Sequence, residues 1–157
     1  MPNNFISQEG SCSVVKATEE HAQYIAKNIR RIDELETACL GATPINALKG
    51  GLKNDTTTLT ALTPEGNPMA MFGVGKVGEE AYIWCLGTPE IKVNGRQFLK
   101  SSRKWIQQLT KPFGATFNYV HQENEIAIKW LKYCGAVFIK KCHINSHPFF
   151  QFIIISK

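Results

Sequence analysis

The chain has 157 residues, enough for one domain that buries a core without disulfides or a structural metal. Apolar residues make up 43% and charged residues 20%, and no apolar run approaches the roughly 18 residues a membrane span needs, which excludes a helical membrane protein and a disordered one. The net charge of +5 favours an anionic partner (a phosphate-bearing cofactor, nucleic acid or an acidic protein surface), although a solvated basic face gives the same number.

Residues 1–11, MPNNFISQEGS, lack the basic start and apolar middle of a secretory signal. The expectation is a flexible tail over 1–10, a single domain over 11–157 and no export by a signal peptide. Cys12, Cys39, Cys85, Cys134 and Cys142 are an odd set with no Cys-x-x-Cys pair, so they read as reduced thiols with no metal or disulfide role.

SCSVVKA (11–17) predicts a strand, and Thr18 before Glu19 and Glu20 predicts a capped helix carrying Ala22, Ile25, Ala26 and Ile29 inward. A break near Arg30 and Arg31 precedes a second helix on Ile32, Leu35 and Cys39, which ends at Gly41. Thr43 before Pro44 opens a short third helix that Gly50 and Gly51 terminate. Residues 56–62, 69–76 and 81–87 then alternate as three antiparallel strands joined by turns at 63–67 and Gly78. A helix over 95–109 buries Phe98, Leu99, Trp105, Ile106 and Leu109 and leaves Arg96, Lys100, Arg103 and Lys104 on a basic side. After it come a strand at 115–121, a helix from Asn124 that stops at Gly135, and two closing strands.

This order is an α+β layout with a mixed, mainly antiparallel central sheet and helices on both faces. The spacing of Asn124, Ala127, a bulky residue at 131, Gly135 and an apolar strand start resembles the second half of the GCN5-related N-acetyltransferases, the GNAT superfamily. Within it, residues 18–33, 117–138 and 150–157 are most similar to small internal virion proteins of short-tailed, podovirus-type phages. The resemblance implies a sheet whose neighbouring strands splay apart, with acetyl-CoA in the gap. It also implies cofactor contacts at Cys85, Leu86, Gly87, Asn94, Gly95, Arg96 and Asn124.

The chain departs from that pattern in two places. The family's glycine-rich phosphate loop corresponds to TPEIKVNGRQFLK (88–100), which keeps Gly95 and Arg96 but not the pattern, leaving Asn94, Gly95 and Arg96 as donors at a helix start. A tyrosine that commonly serves as proton donor falls on Leu131, and Tyr133 lies about 200° around the helix from it. Loss of a general acid typically removes about 10² to 10⁴ of rate. Candidate bases are His121 and Glu123 at a strand end beside the cleft, with Glu79 and Glu80 behind them. His143 and His147 have metal-like spacing but read as part of a surface hairpin.

Three functions follow. The first is a phage GNAT-fold protein with degenerate or lost activity, located in the virion interior or host cytoplasm, whose partners are virion proteins or a host protein. The second is an active acetyl-CoA-dependent transferase acting on a small-molecule or protein amine. A nucleic-acid binder ranks last, because the basic helix face lacks interleaved exposed aromatics.

Overall fold

The computed structural model describes residues 5–9 and 12–157, with side chains from Cys12 onward. The strands are β1 (Phe5–Glu9), β2 (Cys12–Lys16), β3 (Thr57–Leu62), β4 (Pro68–Val77), β5 (Glu80–Gly87), β6 (Ala115–His121), β7 (Val137–Ile144) and β8 (His147–Ile155). The helices are α1 (Glu19–Lys27), α2 (Arg31–Cys39), α3 (Pro44–Asn54), α4 (Glu90–Thr110) and α5 (Glu125–Tyr133). Part of the expected tail is therefore a strand: β1 pairs antiparallel with β2. Residues 1–4, 10 and 11 lie outside the described residues.

The eight strands form one sheet in the order β1-β2-β3-β4-β5-β6-β8-β7. All neighbours are antiparallel except β5 and β6. Side chains on β4 and β5 alternate between the two faces. Phe72, Val74 and Ile83 join Phe98, Trp105, Ile106 and Leu109 of α4 and Leu131 of α5 in one core. Met71 and Leu86 point the other way, against Ala22 and Ile25 of α1 and Leu48 of α3.

Local signals set most boundaries. Thr18 accepts from the His21 N–H at 3.2 Å, and the His21 ring accepts from the Thr18 N–H at 3.1 Å, closing a capping box on α1. Asn124 caps α5 through Ala127, and Gly135 at φ +94° ends it. Two boundaries differ from expectation. Helix α3 runs through Gly50 and Gly51 to Asn54, and the glycine at 51 leaves room for Trp84: a Cβ there would stand 2.6 Å from the indole. Helix α4 starts at Glu90, five residues before Gly95, with the Thr88 hydroxyl accepting from the Glu90 N–H at 3.3 Å.

Candidate active site

Strands β5 and β6 meet in register at Tyr82 and Phe117 and then diverge. Asn118 bridges the start of the gap, its side-chain amide donating to the Ile83 carbonyl at 2.7 Å. At the far end, the Gly87 carbonyl accepts from the Arg30 N–H at 2.9 Å and the Gly87 N–H donates to Asp33 Oδ2 at 2.9 Å. Backbone groups on a strand alternate sides, so Cys85, midway between Ile83 and Gly87, also turns its N–H and carbonyl toward the gap, while Leu86 faces β4 opposite Met71. The gap is part of a cavity of about 850 Å³ lined from both sheet faces. Ile91, Phe98, Leu99, Ala127 and Trp130 line it on the α4–α5 side, and α2, α3, Tyr82 and Trp84 line it on the other.

Helix α2 brings acids to this cavity. Asp33, Glu36, Thr37 and Leu40 share a helical face and all line it. The Asp33 carboxylate is 1% exposed and takes a two-pronged ion pair from Arg30, at 2.8 and 2.9 Å. One turn on, Glu36 Oε2 accepts from the His121 N–H at 2.8 Å and from the Asn124 side-chain amide at 3.1 Å. Burial pushes the Glu36 carboxyl up to about 7, with Asp33 adding to the rise; the two hydrogen bonds and Arg30 oppose it. A carboxylate poised there exchanges a proton near neutral pH, as a general base requires. Burial also drives the Cys85 thiol well up, so it meets the gap as a neutral thiol.

The solved structures similar to this chain share this arrangement of elements. They include a GNAT-family acetyltransferase from Bacillus anthracis, 11% identical over 96% of this chain and 98% of that one, with a TM-score of 0.70. The ribosomal-protein-S5-alanine acetyltransferase from Vibrio fischeri is 12% identical over 98% and 97%, with a TM-score of 0.68. The ribosomal-protein-S18-alanine N-acetyltransferase from Escherichia coli is 11% identical over 93% and 95%, with a TM-score of 0.66. The chain has the GNAT fold. No family model matches the sequence, and no curated protein matches it either.

In the GNAT fold of this chain, Cys85, Gly87, Gly95, Arg96 and Asn124 all border the cavity, as does Leu86. Their parts differ from the sequence expectation. The Gly87 backbone is already engaged by Arg30 and Asp33, and Asn124 both caps α5 and holds Glu36. Asn94, Gly95 and Arg96 lie in the second turn of α4 rather than at its start, so their amides belong to the helix ladder. At the actual start, Ile91 and Lys92 bond back to the Thr88 and Pro89 carbonyls, and the Glu90 carboxylate accepts from Tyr24. That end offers a phosphate no glycine-rich cradle.

His121 does not reach the cavity. Its ring is fully buried, with Nδ1 accepting from the Glu123 N–H at 3.0 Å and Nε2 3.3 Å from His147 Nδ1. A ring nitrogen already accepting a main-chain bond cannot take a substrate proton without breaking it. The Glu123 side chain is exposed outside the cavity, and Glu79 and Glu80 are exposed at the β4–β5 turn. His143 and His147 flank the tight Asn145–Ser146 turn of the β7–β8 hairpin, and the described residues hold no metal-type cluster.

Glu36 was hidden in RIDELETAC because the apolar stripe there is Ile32, Leu35 and Cys39. The residues α2 buries are Asp33, Thr37 and Cys39. Two polar residues at i and i+4 beside Glu36 were the available clue.

Proposed function

We propose that the protein is an acyl-CoA-dependent N-acyltransferase acting on an amine, with Glu36 as its general base. The observation that carries this reading is the Glu36 carboxyl, held near 7 at the edge of the cavity where β5 and β6 splay. Solved structures of the same fold are acetyltransferases by name, and the pantetheine half of acetyl-CoA fits what this chain offers: a strand edge at Cys85 and an apolar lining from Phe98, Leu99 and Trp130. For the phosphates, Lys92 and Arg96 stand at the cavity in place of the missing glycine loop.

Bound acetyl-CoA would supply an acetyl thioester, to which a free amine adds with loss of the thiol. The chain's own part is to make that amine free and to orient it. An ammonium entering from the α2 side meets Glu36, whose carboxylate takes the proton and leaves the nitrogen its lone pair. The Cys85 N–H faces the gap as a donor for a carbonyl oxygen. Leu131 has no proton to give, so the departing sulfur is protonated by solvent.

A second reading, a GNAT-fold phage internal virion protein that has lost turnover, is favoured by Leu131 and by the closed, acidic start of α4. Calorimetric titration with acetyl-CoA, joined to acetyl transfer across an amine panel for the wild type and Glu36→Gln, separates the two. Binding with turnover that Glu36→Gln reduces at least tenfold supports the transferase. Binding without turnover, or no binding, moves the case to the scaffold, and mass spectrometry of purified particles becomes the next measurement.

A further inference from the structure

The α2–α3 side of the cavity contains a carboxylate that the reaction above does not use. Asp55 caps the C-terminal end of α3 and accepts from the Tyr82 hydroxyl through Oδ1 and from the Trp84 indole N–H through Oδ2. Both rings pass close to a glycine: a Cβ on Gly75 would sit 2.5 Å from the Tyr82 hydroxyl, and one on Gly73 would sit 3.2 Å from the Trp84 ring. Both of its partners are neutral. Among the described residues no Lys, Arg or His lies within ion-pair distance of Asp55. Its place at a helix C-terminus adds the negative end of the helix dipole to its own charge. Held only by neutral donors, its charge stays open to a cation that enters the cavity. Here the open side is the cavity, and the walls beside it are aromatic: Tyr82, Trp84, Phe117 and Tyr119.

We propose that this side of the cavity recognises an extended aliphatic amine bearing a second ammonium group, with Asp55 holding the distal charge while the near nitrogen reaches Glu36. The inference rests on the transferase reading for its reacting end. The spacing comes from the strands. Asp55 is level with the middle of Tyr82–Trp84, hence with Asn118, and Glu36 bonds His121 three residues further along β6. At the rise of a strand this is roughly 10 Å. A short diamine cannot bridge it, and a long one can.

The test is calorimetric titration of the full chain with propanediamine, octanediamine and octylamine, without acetyl-CoA. Octanediamine is expected to bind about tenfold tighter than either of the others, a gap that Asp55→Asn removes and added salt shrinks. Tyr82→Phe keeps the charge and is expected to keep the preference, which guards against a failure of Asp55→Asn to fold. Equal binding of octanediamine and octylamine by the wild type, or a preference that survives in Asp55→Asn, overturns the proposal. Acetyl transfer to octylamine as fast as to octanediamine would overturn it while leaving the transferase standing. A diamine preference in a protein that binds no acetyl-CoA would keep the cation site and end the transferase.

Discussion

Glu36 and Asn124, 88 residues apart, share one hydrogen bond of 3.1 Å that ties helix α2 to the first turn of α5. The same asparagine caps α5 by accepting from the Ala127 N–H at 3.3 Å. Asn124→Ala loses the cap and one donor to Glu36, so it is expected to cost about 1–2 kcal/mol in urea unfolding. It should also raise the Glu36 titration further, because that donor favours the charged form. Asn124→Asp keeps the cap, loses the donor and adds a like charge, so it is expected to raise Glu36 most of all. Carboxylate-resolved NMR titration of the three proteins checks the order.

The raised Glu36 pKa has a definite sign in stability. The folded chain holds that proton more tightly than the unfolded chain, whose carboxyl titrates near 4.5, so this contribution is complete below 4.5 and is lost as pH rises to about 7. The loss is roughly 3 kcal/mol across that window. Glu36→Gln is expected to flatten it in urea midpoints measured from pH 4.5 to 8. Wild-type transfer should rise through about pH 7 as the base becomes available, opposite in direction to the stability.

Arg30 and Asp33 fasten the α1–α2 junction to the end of β5. Arg30→Ala strands a carboxylate that is 1% exposed and is expected to cost about 3–5 kcal/mol. The double variant Arg30→Met with Asp33→Leu should recover much of this, because it leaves no unpaired charge. Thermal unfolding of the singles and the double gives the coupling.

Gly50 and Gly51 are neighbours in α3 with opposite expected responses. Nothing lies within 4 Å of a Cβ on Gly50, so Gly50→Ala should stabilise by about 0.5–1 kcal/mol through helix propensity. A Cβ on Gly51 meets the Trp84 ring at 2.6 Å, so Gly51→Ala should destabilise by about 1–3 kcal/mol. Thermal melts with Trp84 fluorescence read both.

What the sequence determined is local. Thr18, Thr43 and Asn124 start helices through bonds to residues three positions on, and Gly135 stops one by its backbone. Strand alternation and turn residues are short-range too, and from these the α+β layout was legible. The GNAT resemblance in 124–138 was carried by the same cap and stop. The start of α4 and the length of α3 were not legible: Gly95 reads as the first residue of its helix, and Gly50 and Gly51 read as terminators until Trp84 supplies a reason for the missing Cβ at Gly51. The tertiary structure alone decided the site. Glu36 is raised toward neutrality by burial, while a main-chain N–H from position 121 and an amide from position 124 hold it at the cavity wall, and Asp55 meets its aromatic partners across a gap of more than 25 residues. A carboxylate's chemistry is set by the groups around it, and those groups come from parts of the chain that no local pattern connects.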